Sequence, residues 1–305
     1  MATYTIEPTE DTLHGFFSPD LPPVLTIESG DTVRFRTLDA GWGLEPFAEF
    51  VPPGPPQRRR ATTKVEGPMG HALCGPVAIR GAEPGMTLAI RIDALRPGTW
   101  GWTWAGGELV EGEVMHRWQL DADALRGRNQ HGHSVRLRPF MGVLGMPPAE
   151  PGQHSTVPPR VTGGNIDCKE LVAGSTLYLP IAVPGGLFSV GDGHAMQGDG
   201  EVSRTAIECP MDEVTLTFHL RADLRLTTPR AETPAGWLTF GFDEDLTAAT
   251  RIALDAMLDL MAEQYGLTRA DALALASLVV DLRVTQIVNQ VRGIHAVLPH
   301  GAIQR

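Results

Sequence analysis

Four ionisable side chains lie close together in one glycine-rich run, Val190–Glu201, whose sequence is VGDGHAMQGDGE. They are Asp192, His194, Asp199 and Glu201. On an extended chain, residues two apart point to the same side, so the acid and the imidazole at Asp192 and His194 could bind one divalent metal. The intervening glycines would let the backbone pass close to a small ligand. A glycine-rich turn with an incidental histidine gives the same pattern, and the residues alone leave both interpretations open.

A second polar stretch, Glu150–Asp167, reads EPGQHSTVPPRVTGGNID and is broken by Pro-Pro and Gly-Gly pairs. It has little apolar content, yet it holds many side chains that can ionise or form hydrogen bonds. Loops on a rigid scaffold often supply binding groups, but long surface loops are also normally polar. A binding loop and a solvated loop are therefore equally open here. The side chains concerned are Glu150, His154, Arg160, Asn165 and Asp167.

Three further groups are weaker candidates. Trp100, Trp102 and Trp104 alternate on one predicted strand face, where tryptophans fill a core or an interface more often than they line a pocket. The two histidines of Gln130–His133 lie in a charged turn, which favours a solvated surface. Cys168 is a conceivable nucleophile, but no histidine lies at a recognised spacing from it, so a buried thiol is favoured.

The elements that must hold these side chains read mainly as short strands. Glycine and proline number 34 and 25 of 305 residues, well above their usual share, which indicates many turns. A Gly-x-Thr turn followed by alternating apolar residues predicts three strands, starting from Gly30, Gly85 and Gly174. Further strands are predicted at Val24–Glu28, Val77–Arg80, Val135–Leu137, Leu187–Val190 and Val214–Leu220. The loops that should form no central strand are Pro52–Pro56, Pro147–Gly152 and Val157–Gly164.

The C-terminal quarter has helical periodicity instead. Apolar residues at helical spacing predict an amphipathic helix over Leu246–Tyr265, with Gly266 as a left-handed stop. Thr268 should cap a second helix, with Asp271 completing a variant of the capping box. Strand patterns return at 284–288 and 294–298. We predict a mainly β fold: a β-sandwich-like body with Gly/Pro-rich loops at 1–240, and a C-terminal αα-hairpin with final strands at 241–305. These parts should pack as one integrated domain.

Charge and segment content argue against several function classes. The formal net charge is −11 and the single dense basic run, Arg58–Arg60, is isolated, so we expect no nucleic-acid binding. Three distant cysteines fit neither a disulfide framework nor a zinc knuckle. The N-terminus lacks a signal-peptide pattern, and no apolar stretch is long enough to span a bilayer. We therefore expect a cytoplasmic protein without membrane contact. The amphipathic hairpin and the Trp-rich strand favour a homo-dimer or a higher homo-oligomer.

Longer stretches around these residues resemble the acetamidase/formamidase family. The run Val190–Glu208, VGDGHAMQGDGEVSRTAIE, is similar to a stretch that members of this family carry. Pro139–Asp167 resembles the family pattern P-F-x-G-V-x-G-x-x-P…H-S-T-x-P-P-R…G-G-N-x-D. Family-like segments also occur at Pro22–Ala40, His71–Leu88 and Gly266–Asn289. The similarity covers nearly the whole chain and is most specific over residues 139–208.

The resemblance implies hydrolysis of short aliphatic amides to ammonia and a carboxylate, on a mainly β fold. It also implies a divalent metal, zinc or alternatively calcium, held by Asp167, Asp192 and His194. Cys74 and Cys168 stand where the family pattern has threonine, and TWGWTWAGG at 99–107 replaces an expected Pro-Gly-rich loop. These departures leave the particular amide open. The predicted catalytic residues are Glu150, Glu201 and His154, and the predicted substrate-binding residues are Asn165, Gln197 and Trp104.

Hydrolysis of an amide needs an activated water, stabilisation of the oxyanion and a proton for the departing nitrogen. A metal on Asp and His could lower the pKa of its bound water toward about 7 and polarise the carbonyl. Glu150 is the favoured proton acceptor, with Glu201 either taking this role or orienting His194. Two alternatives stay open. One is a metal-independent amidase with Cys168 or Lys169 as nucleophile; the other is a metal-containing β-sandwich that binds a ligand without turnover.

Overall fold

The computed structural model describes residues 1–48 and 58–304, which form mainly short strands joined by turns. In chain order the first strands are β1 (Thr3–Ile6), β2 (Leu13–His14), β3 (Phe16–Phe17), β4 (Leu25–Ile27), β5 (Thr32–Thr37), β6 (Leu73–Ile79), β7 (Thr87–Pro97), β8 (Trp100–Ala105), β9 (Val114–Asp121), β10 (Arg126–Asn129) and β11 (Ser134–Arg136). They are followed by β12 (Phe140–Gly145), β13 (His154–Ser155), β14 (Pro159–Arg160), β15 (Gly163–Asn165), β16 (Thr176–Pro180), β17 (Phe188–His194), β18 (Met211–Arg221), β19 (Arg230–Thr233), β20 (Gly236–Asp243), the helices α1 (Leu246–Tyr265) and α2 (Arg269–Val279), β21 (Asp281–Gln286) and β22 (Arg292–Pro299).

One layer of the fold is a nine-stranded sheet in the order β1-β5-β18-β7-β16-β19-β20-β22-β21. Strands β5, β7 and β16 of this sheet each follow one of the predicted Gly-x-Thr turns. Glycine is required there because the backbone turns at positive φ, which is 98° at Gly30, 87° at Gly85 and 90° at Gly174. The strands that the alternating pattern predicted after these turns are therefore confirmed.

The second layer is a seven-stranded sheet in the order β14-β15-β12-β17-β6-β2, with β4 paired to β6. Residues of both layers belong to one continuous apolar cluster, so the main core lies between the sheets. Phe188 of β17 and Phe218 of β18 meet in this core with ring centroids 5.1 Å apart. The tryptophan-rich strand β8 lies at one end of a separate four-stranded sheet, β11-β10-β9-β8. The predicted mainly β, sandwich-like body is confirmed.

Both helices cover one end of the nine-stranded sheet. Helix α1 begins after Asp245, whose side chain accepts a hydrogen bond from Ala248 N, and ends at Gly266 with φ 65°. Thr268 caps α2 by accepting from Asp271 N at 3.1 Å, so the predicted helix signals are confirmed. The strands β21 and β22 that follow belong to the same sheet as β20. The domain boundary at residue 240 falls within β20 and stays a prediction. Neither of the described helices is long and apolar enough to cross a membrane.

The structure differs from the prediction at one predicted loop and agrees with it at another. The Val157–Gly164 loop was expected to form no central strand, but β15 pairs there between β14 and β12. This is possible because glycines face each other: Gly145 pairs with Gly163, and a Cβ on Gly145 would overlap the backbone of Gly164. Pro147–Gly152 contains no strand. The Pro52–Pro56 loop lies outside the described residues.

Candidate metal centre

His194, at the end of β17, is surrounded by buried carboxyl groups. Its Nε2 atom lies 3.3 Å from Asp192 Oδ1 and 3.3 Å from Glu208 Oε2. Glu208 reaches this position because its backbone bridges those of His194 and Trp102. The ring of Phe140 packs edge-on against the imidazole, with centroids 5.0 Å apart. His194 is 1% exposed, Asp192 2% and Glu208 3%, so the whole group is shielded from water.

Two more carboxyl groups lie on the other side of the same imidazole. Asp167 Oδ1 is 4.0 Å from His194 Nδ1. Ligand atoms of Asp167, His194 and Glu201 all lie within 4.8 Å of one another. Asn289, from the turn between β21 and β22, donates a hydrogen bond to Asp167 Oδ2 at 3.3 Å. Four acids therefore surround one histidine, and they come from the two stretches that the sequence singled out together with Glu208.

Three of these acids have a left-handed backbone, with φ of 53° at Asp167, 59° at Asp192 and 47° at Glu201. Non-glycine residues rarely adopt this conformation, and such residues cluster at functional sites, where the surrounding structure imposes them. Asp192 and His194 were expected to lie on one side of an extended strand, but the backbone at Asp192 is not extended. The two side chains do meet, but through a left-handed turn at Asp192 within β17.

Gly142 of β12 leaves the space in which these side chains converge. A Cβ on this residue would lie 2.7 Å from Asp167 Oδ1 and 2.9 Å from His194 Cε1, and closer still to Asp192 Oδ2. Real Cβ atoms do not approach other atoms this closely, so any larger residue must push the site apart. The glycine in PFMGVLG is thus explained by the side chains that face it.

The electrostatics of the centre are dominated by burial. Burial raises the pKa of Asp167 well above its usual range, that of Glu201 to about 7 and that of Glu208 to about 8. Burial is the largest influence on Asp192 and would raise its pKa, but the charges of His194 and His71 and the hydrogen bonds with His194 and Glu208 together hold this pKa below its usual range. Burial opposes a charged imidazole as well, yet Glu208 and Asp192 outweigh it and raise the pKa of His194. The carboxyl groups therefore require a positive charge in their midst.

The residues present fit a metal ion in that role. Asp167 Oδ1, Glu208 Oε2 and both ring nitrogens of His194 are buried and make no hydrogen bond within residues 1–48 and 58–304. Buried polar atoms normally have partners, so these unpartnered atoms around one imidazole fit the binding of a cation. Imidazole and carboxylate ligands are the set that zinc takes in catalytic sites.

Two predicted carboxamide side chains are buried: Gln197, which contacts the backbone of Asp167, and Asn165 of β15. Asn165 and Gln197 are each 4% exposed. Gln197 Nε2 donates to the backbone oxygen of Asp167 at 2.9 Å, which fixes the orientation of its amide. The oxygens Asn165 Oδ1 and Gln197 Oε1 are buried and accept no hydrogen bond from the described residues. Gln197, which is held against Asp167, thus offers the site an acceptor for an N–H group of a ligand.

The remaining predicted site residues lie further out. Glu150 is exposed, and its backbone oxygen is 2.8 Å from Nε2 of the half-buried His154. Trp104 is half-buried in β8, where its backbone N donates to Thr205 Oγ1 at 3.0 Å. Asp199 is exposed and ion-paired with Lys169 and Arg283. The structure therefore brings together the predicted metal residues, Glu201 and Gln197. Among the contacts of the described residues, Asn165, Glu150, His154 and Trp104 show none with this group, and their roles stay predictions.

Sequence reasoning missed Glu208, Asn289 and His71, whose charge acts on Asp192. Glu208 ends the family-like stretch from Val190 and could have been found there as a further acid. Asn289 likewise ends the family-like stretch from Gly266, but nothing local links it to an acid more than a hundred residues away. These contacts depend on sheet pairing that the sequence does not reveal.

Comparison with known proteins identifies the same family that the sequence resembles. The chain matches the sequence profile of the Acetamidase/Formamidase family over residues 3–153 and 149–302. It is 50% identical to an acetamidase of Mycolicibacterium smegmatis, over 62% of this chain and 61% of that protein. It is 26% identical to a formamidase of Methylophilus methylotrophus, over 63% of this chain and 60% of that protein. The chain thus spans about three fifths of the length of these curated relatives.

A solved structure agrees over a longer range. The crystal structure of an acetamidase from Bacillus halodurans is 28% identical and superposes with a TM-score of 0.84, covering 97% of each chain. The likeness therefore includes both sheets and the C-terminal hairpin.

Proposed function

We propose, because this chain belongs to the acetamidase/formamidase family, that it hydrolyses a short linear carboxylic amide to a carboxylate and ammonia. The observation that carries this proposal is the buried arrangement around His194. Four carboxyl groups meet there, beside the carboxamide of Gln197, whose oxygen accepts no hydrogen bond from the described residues. Such a site can bind a cation, hold a proton near neutral pH and accept hydrogen bonds from an amide nitrogen.

Asp192, His194 and Glu208 would hold a divalent metal. Their ligand atoms are separated by 3.3 Å on each side of His194 Nε2, close to the roughly 3.4 Å between nitrogen and oxygen ligands of tetrahedral zinc. The imidazole favours zinc over calcium, which takes oxygen ligands. When bound, the ion would polarise the amide carbonyl and lower the pKa of a coordinated water.

Glu201 is the best-placed proton carrier. Burial raises its pKa to about 7, so it can accept the proton of the attacking water and later return it to nitrogen. The C–N bond then breaks, and ammonia leaves with that proton. Burial raises the pKa of Asp167 well above its usual range, and its Oδ2 accepts a hydrogen bond from Asn289 Nδ2 at 3.3 Å. In this role Glu201 replaces Glu150, which is exposed to solvent.

Gln197 supplies recognition of the amide, and Asn165 stays a predicted substrate-binding residue. A primary amide carries N–H donors, and Gln197 presents a buried acceptor oxygen. Leaving such acceptors unpaired costs about 1–3 kcal/mol each, so a ligand without N–H donors should bind poorly. This favours an amide over an ester of the same size.

A pair of variants tests the assignment of the proton carrier. Glu201→Gln should abolish ammonia release while the protein still binds metal, because the carboxamide keeps the shape but cannot take a proton. Glu150→Gln is the matched control at an exposed position and should remain active. Loss of turnover in Glu150→Gln with a fully active Glu201→Gln would return the role to Glu150.

The alternatives have less support. Burial raises the pKa of the Cys168 thiol well above its usual range, and Lys169 is ion-paired with Asp199, so neither is an activated nucleophile. Ammonia release that survives exhaustive chelation and is lost in Cys168→Ala would nevertheless favour that mechanism. A metal-loaded protein that releases ammonia from no amide would favour a binding protein without turnover.

A further inference from the structure

A second set of buried ligating side chains lies outside the candidate metal centre. It consists of Cys168, Glu170 and His295, here called the Cys–Glu–His group. Cys168 and Glu170 lie in the segment after β15, and His295 lies in β22. Their exposed fractions are 0%, 4% and 0%. One sulfur, one oxygen and one nitrogen atom of the group all lie within 4.8 Å of one another, although the residues are far apart in sequence.

Two of the three separations within the group match those around one tetrahedral ion, and the third lies within 4.8 Å. Glu170 Oε2 lies 3.4 Å from Cys168 Sγ and 3.4 Å from His295 Nε2. With metal bonds of roughly 2.0–2.3 Å at tetrahedral angles, neighbouring nitrogen, oxygen and sulfur ligands are about 3.4–3.6 Å apart. A single ion could therefore contact all three atoms with little movement of the side chains.

His295 is oriented as a metal-binding histidine would be. Its Nδ1 lies 2.8 Å from Thr285 Oγ1, so one ring nitrogen already has a partner. Its Nε2 faces the group, is buried and makes no hydrogen bond within the part of the chain that the structure describes. Metal-binding histidines are usually fixed in this way, through a hydrogen bond at the other nitrogen. Burial also lowers the pKa of His295 to about 4, which leaves a neutral ring with a lone pair.

The surrounding charges determine which kind of ion fits. Glu170 Oε1 accepts a hydrogen bond from Arg283 Nη1 at 2.9 Å, which leaves Oε2 turned toward the group. Lys169 Nζ lies 3.6 Å from the same Oε1. These cations oppose a further positive charge unless Cys168 gives up its proton and binds as the thiolate. Sulfur and imidazole ligands favour zinc and similar ions over calcium or magnesium.

We propose that Cys168, Glu170 and His295 bind one divalent cation of the zinc class, separate from the ion at the candidate metal centre. Its role would be structural. Cys168 directly follows Asp167, and β22 is paired with β21, whose turn carries Asn289. An ion here would therefore link the segment that carries Asp167 to the β21–β22 pair. The turn of this pair holds the carboxylate of Asp167 through Asn289. The proposal does not depend on the chain being an amide hydrolase.

Cobalt substitution of the full chain tests this proposal without any assay of activity. A thiolate bound to Co²⁺ gives a charge-transfer absorption in the near ultraviolet, whereas imidazole and carboxylate ligands do not. We expect the wild-type protein to show this absorption and to hold one ion per chain more than Cys168→Ser. His295→Ala should lose the same absorption. Cys74→Ser, which replaces another buried cysteine away from the group, should keep both the absorption and the ion.

Two results would overturn the proposal. The first is wild-type protein loaded with Co²⁺ that lacks the charge-transfer absorption, which needs no variant to fold. The second is an absorption that persists in Cys168→Ser. If that absorption were also lost in Cys209→Ser, the sulfur ligand would lie next to Glu208 and belong to the candidate metal centre. The first of these results would mean that the Cys–Glu–His group is a hydrogen-bonded trio only.

Discussion

Replacing Gly142 by alanine is expected to disable the candidate metal centre while the fold is kept. The added Cβ would lie 2.7 Å from Asp167 Oδ1, which falls 0.7 Å short of the ordinary contact of 3.4 Å, and the shortfall at Asp192 is larger. The acids must therefore move by most of an ångström. A misplacement of about 1 Å at a reacting centre can cost about 10²-fold in rate, so kcat/KM should fall by about that factor.

The assay is ammonia release at several amide concentrations, together with metal content and circular dichroism of the same samples. Gly198→Ala is the matched control, since it makes the same change in the site loop where a Cβ would meet nothing within 4 Å. It should retain activity. If Gly142→Ala showed activity within a few-fold of the wild type, the convergence of side chains on Gly142 would not be the reacting site.

Three other predictions follow from the same geometry. Burial raises the pKa values of Glu201 to about 7 and Glu208 to about 8, so the folded metal-free protein retains protons that the unfolded chain loses. Its Tm should therefore fall as pH rises from about 4.5 to about 8, and a Tm that rises over this window would contradict the burial of these acids. Gln197→Ala should raise KM by up to about tenfold through loss of one acceptor, as measured in steady-state assays; an unchanged KM would remove Gln197 from substrate binding. Thr268→Ala should cost about 1 kcal/mol of unfolding free energy in urea and leave turnover unchanged; a loss of turnover at equal folding would mean that α2 affects the site.

Local signals account for what the sequence predicted well. The bounds of α1 match the prediction because apolar spacing, Asp245 and Gly266 all act within a few residues of the helix. The strands after Gly30, Gly85 and Gly174 were found for the same reason, since the turn and the alternation are adjacent. Part of the candidate metal centre was predicted because Asp192, His194 and Glu201 are close in sequence.

What the sequence did not reveal depends on pairing between distant segments. Glu208 meets His194 only through an isolated backbone bridge, and Asn289 meets Asp167 only because β21 and β22 join the far end of the nine-stranded sheet. Glu150 looked equivalent to the other acids, because burial cannot be read from a polar loop. The oligomeric state, the cellular compartment and the roles of individual site residues stay predictions.

The proposed function depends above all on a metal that is held around His194 and serves amide hydrolysis. The most direct measurement is ammonia release from formamide, acetamide and longer amides by one protein sample in three states: as purified, after chelation with metal loss verified, and after zinc or calcium is added back. We predict that activity is lost on chelation and restored by zinc, and that His194→Ala cannot be restored. Undiminished ammonia release from verified metal-free protein would contradict the claim.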